Sequence, residues 1–289
     1  MTSPPLPPSR LFDRRAKAYE RHAAVQTEVA ERLLGRLDGL KFEPARILEV
    51  GCADGRQCQA LHRRFPKARV IGIDLSPGML ARARSRRRWW RRDFELLRAD
   101  GGRLPLAEDS IDLVYANLSL GWLGDAEAAL RSWRRVLRPG GLALVSVFGP
   151  DTLREQRARL APQASFSALA DVQRFGSMLV RAGFAEPVLD TDWITTVFPD
   201  PAALLVELRG CGLLPAASHG LGKRAQALRS LGLKSGLESG QEMSGESCRA
   251  TWEIVSASAW APEAGQPIRG AAGEEVSVPV STIGIRRRD

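Results

Sequence analysis

Arg46-Ile47-Leu48-Glu49-Val50-Gly51-Cys52-Ala53-Asp54-Gly55 is the stretch whose reading decides the fold. Ile47 to Val50 has the length and apolarity of a short buried strand, and it runs straight into a turn bounded by two glycines. Gly51 and Gly55 permit a positive φ and a close backbone approach that a Cβ would resist. Beyond the turn, Cys58, Leu61 and Phe65 fall on one side of an amphipathic run and Arg56, Arg63 and Arg64 on the other, so the turn opens a helix. Strand, glycine turn and helix N-terminus together predict a ligand loop, because free N–H groups at such a turn converge on an electron-rich group.

Outward from this stretch, strands and helices alternate. Residues 1–9 read as a disordered lead-in. Residues 10–40 read as one N-terminal helix with Phe12, Ala16, Tyr19, Ala23, Val29, Leu33, Leu34 and Leu37 on a broad face. Residues 41–198 form the core. Its second strand spans residues 68–74, and Ser76-Pro77 caps a helix reaching residue 88. Further strands are expected at 94–99, 110–116 and 142–148, and a helix at 125–137 stopped by Pro139-Gly140-Gly141. A helix at 169–183 and a strand at 188–195 follow. Residues 199–248 read as a helical insertion rich in Gly and Ser, and residues 249–289 as a final strand, a loop at 263–273 and a basic tail. This alternation implies βαβ crossovers and a doubly wound parallel sheet.

Composition narrows the classes. With 44% apolar residues in 289, the chain has ample core, and no apolar run approaches a membrane span. The Pro-rich start lacks a hydrophobic signal region, so a cytoplasmic protein is expected. Cys52, Cys58, Cys211 and Cys248 form no metal-ligand pattern, which predicts free thiols and no metal site. The formal net charge of +9 points either to an acidic partner (nucleic acid, anionic lipid or protein) or to an arginine-coated surface without one.

The glycine spacing selects among nucleotide cofactors. A dinucleotide loop needs glycines at 53 and 56, where this chain has Ala53 and Arg56. Carboxylates beside the loop, Glu49 among them, repel a pyrophosphate but suit the amino and ribose groups of an adenosyl amino acid. Asp74 ends the second strand, placed to accept from ribose hydroxyls; Asp100 ends the third, within reach of an adenine amino group; Asn117 follows the fourth. Ligands of open parallel sheets bind at these carboxyl ends. The ordered set Glu49, Gly51, Gly55, Asp74, Asp100 and Asn117 points to S-adenosylmethionine.

With these residues in place the chain resembles the class I methyltransferases, and more narrowly the malonyl-acyl-carrier-protein O-methyltransferases of biotin synthesis. Phe12-Asp13-Arg14 with Ala18-Tyr19-Glu20, Leu104-Pro105-Leu106, Asn117-Leu118 with Trp122, and Arg138-Pro139-Gly140-Gly141 carry the likeness. So do residues 148–153, Arg181-Ala182-Gly183-Phe184, Ala259-Trp260-Ala261-Pro262 and Val278-Pro279-Val280-Ser281. The resemblance implies a Rossmann-like, mostly parallel seven-stranded sheet with an N-terminal helical lid and a C-terminal helical insertion. It implies S-adenosylmethionine held by Tyr19, Glu49, Gly51, Cys52, Ala53, Gly55, Asp74, Leu75, Asp100, Gly101 and Asn117. Tyr19, Trp122 and Arg131 would position the acceptor, the free carboxylate of malonyl-carrier protein or malonyl-CoA.

An acidic carrier protein would suit the basic surface. The densest basic stretch, Arg82 to Arg92 around Trp89-Trp90, equally suits single-stranded nucleic acid or a plain helix end. The chain departs from the family pattern at Ala53 (for glycine), Gly121 (for glutamine) and Leu213-Leu214 (for a smaller, polar pair). A methyl group at Ala53 is tolerable at negative φ. The departures keep open an acceptor other than malonyl, such as RNA or a small molecule. They also keep open a kinship with the related proteins of complex I assembly that hydroxylate arginine.

Overall fold

Strand β1 (Arg46–Val50) lies inside the sheet, with Ile47, Leu48, Glu49 and Val50 all buried. The structure is a computed structural model and describes residues 8–87, 93–156, 171–214, 247–263, 265–266, 268–270 and 273–275. β1 pairs in parallel with β2 (Arg69–Asp74) on one side and β4 (Ile111–Asn117) on the other. With β3 (Glu95–Arg98), β5 (Leu137–Phe148), β6 (Ala185–Phe198) and β7 (Cys248–Trp260), the order across the sheet is β3-β2-β1-β4-β5-β7-β6. β1 to β5 are parallel, and β7 runs antiparallel to both β5 and β6. The seven-stranded, mostly parallel architecture expected from the sequence is the one observed.

The chain leaves β1 toward β2 and β3, then crosses back to β4. That reversal opens a crevice beyond the carboxyl ends of β1 and β4, where ligands of such sheets bind. Helices cover both faces. α5 (Ala126–Val136) and α6 (Val172–Arg181) bury Leu130, Trp133 and Phe175 on one side. α2 (Ala24–Gly35) and α3 (Arg56–Arg64) bury Leu33, Cys58 and Leu61 on the other. Beside β7, α7 (Pro201–Gly210) packs Leu204 and Leu208 against Trp252, Val25 and Val29. Among the described residues no helix is long and apolar enough to cross a membrane.

The N-terminal segment corrects the sequence reading. Instead of a lead-in to residue 9 and one helix, α1 (Pro8–Arg15) is followed by a 3-10 turn, Tyr19–His22, and then α2. No Gly or Pro lies between residues 9 and 34 to mark the break. Tertiary contacts impose it instead. Asp13 Oδ1 accepts from Ser76 Oγ at 2.6 Å and from Gly78 N at 2.8 Å, laying α1 on the first turn of α4 (Pro77–Arg86). Gln26 O accepts from Asn117 Nδ2 at 2.8 Å and Ala30 O from the Tyr115 hydroxyl at 2.7 Å, laying α2 on the sheet. Two docking sites in different directions are met by two helices and a turn.

Two further expectations change. β5 begins at Leu137, five residues before the expected start, and carries Pro139-Gly140-Gly141 through a register shift opposite Ile111 and Leu113. A bulge is where a strand tolerates Pro, and Gly140 takes φ +70 there. The segment expected as a loop at 263–273 contains a short hairpin, β8 (Ile268–Gly270) with β9 (Gly273–Glu275). Trp89, Trp90, residues 1–7, most of the 199–248 insertion and the basic tail lie outside the described residues.

Asp13 is a latch for α1 alone, since its side chain bonds only α4 among the described residues. Asp13→Ala is expected to speed amide exchange in residues 8–16 at least tenfold, with exchange in β1, β4 and β5 unchanged. Unchanged exchange in α1 would contradict the latch.

Candidate active site

The loop after β1 is tied to the end of β2 by its own backbone. Gly51 N and Cys52 N both donate to Ile73 O at 2.9 Å, and Ala53 N donates to Asp74 Oδ2 at 3.0 Å. Gly55 N turns back to Cys52 O at 2.8 Å. These N–H groups are therefore spent inside the protein, which corrects the expectation of a cradle of free donors. What the loop offers instead is close approach. A Cβ on Gly51 (φ +75) would lie 2.6 Å from the Ser119 Cβ.

Ala53 takes φ +44, not the negative angle its methyl group favours. A left-handed alanine costs on the order of 1 kcal/mol, and the Asp74 bond to its N–H helps hold it there.

Two joined hollows open at this point. The larger, of about 270 Å³, runs between the ends of β1, β2 and β4 and the underside of α1. Asp74, Leu75, Asp100 and Gly101 line one end, and Phe12, Leu118, Trp122, Phe148 and Leu213 the other. Phe12 meets the Trp122 ring edge-on at 5.0 Å and Tyr19 at 6.2 Å, so the lid closes with aromatic contacts. The smaller hollow, about 50 Å³, is lined by Glu49, Cys52, Asp54, Arg56 and Gln57. Tyr19, Gln26, Gly51, Ala53 and Asn117 belong to both walls.

The electrostatics are those of a cation site. Glu49 is buried, its Oε2 has no partner, and burial pushes its pKa up to about 8, with the neighbouring Asp54 and Asp74 adding to the rise. Burial also raises Asp74, while N–H bonds from Ser76 and Ala53 pull it back. A buried carboxyl with one orphaned oxygen, its only bonds coming from Cys58, beside a glycine of forced close approach fits the ammonium of an amino acid, which supplies the missing donor. Asp74 and Asp100 then sit at the far end for hydroxyl or amino groups, Asp100 Oδ1 already accepting from Gly102 N at 2.8 Å. Tyr19 is held protonated by its burial and by the acids around it, so it is a donor rather than a base. Among the described residues no cluster of His, Cys, Asp or Glu could hold a metal ion.

Not every expected site residue reaches the hollows. Gly55 lies outside both described walls. At φ +77 it caps α3, and a Cβ there would meet the Ala83 Cβ at 2.8 Å. Asn117 lines the walls, but its amide donates to Gln26 O and its Oδ1 accepts from Ser146 Oγ at 2.8 Å, so its side chain braces the lid. Arg131 is displaced most. α5 turns Leu130, Trp133 and Val136 inward, leaving Arg131 exposed and 3.7 Å from Glu127, off the cavity. Phe12, Leu118, Phe148 and Leu213 were missed as wall residues, because apolar residues of any buried face look alike in sequence.

Residues 48–145 match the family model described as a methyltransferase domain. The malonyl-[acyl-carrier protein] O-methyltransferase of Xylella fastidiosa is 37% identical over 287 residues, covering 97% of this chain and 96% of that protein. The protein of the same name from Gallionella capsiferriformans is 35% identical over 263 residues, covering 88% of this chain and 89% of that protein. Haemonchus contortus phosphoethanolamine N-methyltransferase 2, solved in complex with S-adenosyl-L-methionine, shares the fold at a TM-score of 0.57 and 16% identity, over 87% of this chain and 57% of that one.

Strain at Ala53 is measurable. Ala53→Gly is expected to stabilise the protein by about 0.5–1 kcal/mol in urea, the relief outweighing the greater freedom of the unfolded chain. Ala53→Val should destabilise it. A destabilised glycine variant would contradict the left-handed geometry.

Proposed function

The chain belongs to the malonyl-[acyl-carrier protein] O-methyltransferase family, and from that premise and the joined hollows we propose that it methylates the free carboxylate of a malonyl thioester. The cofactor is S-adenosylmethionine, the thioester is carried by an acyl-carrier protein, and the product is the methyl ester, an early intermediate of biotin synthesis. The observation that carries the cofactor's placement is the unpartnered Oε2 of Glu49 in the wall of the smaller hollow, next to a larger one whose acids, Asp74 and Asp100, lie at or just past the ends of the next two strands.

The cofactor supplies an electrophilic methyl group on a sulfonium. A malonyl carboxylate is already ionised at neutral pH, so the protein needs no general base. Its own work is alignment, worth roughly 7–11 kcal/mol when reacting groups are held in line. Glu49 would hold the amino group, and Asp74 and Asp100 the ribose and adenine. Tyr19, on the turn tied down by Glu20 to Arg56 at 3.0 Å and Arg86 at 2.9 Å, lies across both hollows as a donor. The apolar end around Phe12, Trp122, Phe148 and Leu213 excludes water from the acceptor and accepts the acyl chain.

An acidic carrier protein fits the exterior. Arg10 and Arg14 are exposed on α1, the helix whose inner face closes the cavity, Lys17 is exposed on the turn that follows it, and the whole chain carries +9. Kinship with the malonyl methyltransferases favours this reading over a role in complex I assembly.

Incubation with malonyl-carrier protein and S-adenosylmethionine is expected to add one methyl group by intact mass. No gain there, with methylation of a different acceptor, would overturn the acceptor assignment. The cofactor assignment has its own test in pH. Glu49 is protonated in the ligand-free protein below about 8 and ionised beside an ammonium, so binding at neutral pH expels a proton. Cofactor affinity should therefore rise with pH up to about 8 and then level. In Glu49→Gln it should be weaker and flat. Titration in buffers of different ionisation enthalpy reads the proton, and binding without proton release would contradict the placement of Glu49.

A further inference from the structure

Among the described residues that line the larger hollow there is no Lys, Arg or His. An anionic acceptor must nevertheless be held there beside Asp74 and Asp100, which repel it. The arginine expected for this task, Arg131, stands in solvent. One cation does approach from the lid. Arg15, the last residue of α1, is only 8% exposed, and its Nη1 is buried with no hydrogen-bond partner.

Its surroundings place it at the acyl end. Arg15 Nη2 donates to Leu214 O at 2.8 Å. Phe12, one turn earlier on α1, packs on the same segment: a Cβ on Gly212 would lie 2.6 Å from Phe12 Cε1. Phe12, Cys211 and Leu213 are all in the cavity wall, and Arg15 acts electrostatically on Cys211. The guanidinium is thus buried behind the acyl end, anchored by one nitrogen and with the other lacking an acceptor. A buried cation without a counter-charge is costly, and a guanidinium is the group whose planar fork matches a carboxylate.

We propose that Arg15 is the acceptor-positioning residue: from behind the wall residues Phe12, Cys211 and Leu213 its buried, uncompensated charge offsets Asp74 and Asp100 and draws the malonyl carboxylate to the acyl end of the cavity. This rests on the malonyl reading of the same cavity. Arg15 exchanges no proton and forms no bond. The charge it attracts vanishes when the carboxylate becomes an ester, so its pull favours substrate over product. It also separates a malonyl thioester from an acetyl one, which offers no carboxylate. Placement on α1 couples the pull to lid closure, because Asp13 latches the same helix two residues away.

The test uses the full chain with S-adenosylhomocysteine present, and measures binding of malonyl- and acetyl-carrier protein to wild type, Arg15→Gln and Arg15→Lys. Wild type should prefer malonyl over acetyl by roughly 10- to 100-fold, the range of an attraction between opposite charges that are not in contact. Arg15→Gln should lose that preference and raise KM for malonyl-carrier protein by a similar factor, while S-adenosylmethionine affinity changes less than about twofold. Arg15→Lys keeps a cation and a donor for Leu214 O, so it should fold and retain a reduced preference. An undiminished malonyl preference in folded Arg15→Gln would overturn the assignment. So would a parallel loss of cofactor binding in both variants, which marks a purely structural arginine. If wild type itself fails to methylate malonyl-carrier protein, the malonyl reading fails first; a wild type that methylates it beside an indifferent Arg15→Gln sinks only the role of Arg15.

Discussion

The carboxylate of Asp74 holds the site together. One oxygen accepts from Ala53 N at 3.0 Å and the other from Ser76 N at 2.8 Å, so a single side chain joins the loop after β1, the end of β2 and the cap of α4. Ser76 in turn caps α4 through Met79 N at 3.1 Å and donates to Asp13 of the lid at 2.6 Å. Burial works against the charge on Asp74 and raises its pKa, and the N–H bonds offset only part of that cost. Glu49 one strand away is bonded by Cys58 alone, its Oε2 is left without a partner, and burial takes it up to about 8. Two carboxyls on adjacent strands are thereby given different tasks: Asp74 organises the backbone and keeps lone pairs for a ligand, and Glu49 waits for a cation.

Charge is sorted by depth. The described walls of the larger hollow carry acids and no base, which suits a cationic cofactor, whereas the exterior is basic, which suits an acidic macromolecule. An anionic acceptor has to pass between the two. α1 is the element placed to manage this, with exposed Arg10 and Arg14 outside, Asp13 bonded to α4, and Phe12 and Arg15 turned inward.

Much of the fold was legible because its signals are local. Short apolar runs ending in Gly51, Asp74, Asp100 and Asn117 identify strands and their carboxyl ends without any tertiary knowledge, and the glycine spacing separates one cofactor class from another. What was hidden depends on distant partners. The break between α1 and α2 has no Gly or Pro to mark it and arises from docking to α4 and the sheet. Arg15 is one of several arginines on a short helix, and its burial follows from contact with Leu214, 199 residues away. Arg131 shows the converse: likeness alone suggests the position, and the helical phase of Leu130, Trp133 and Val136 turns it outward. The positive φ of Ala53 is not legible in the loop alone, because the bond that holds it comes from Asp74, beyond the loop itself.

A crystal structure with S-adenosylhomocysteine tests the central claim most directly. The account predicts its amino group within hydrogen-bond distance of Glu49 in the smaller hollow, its ribose on Asp74, and α1 closed over it with Phe12 against Trp122. A ligand bound away from Glu49 and Asp74, or with α1 displaced from α4, would contradict it.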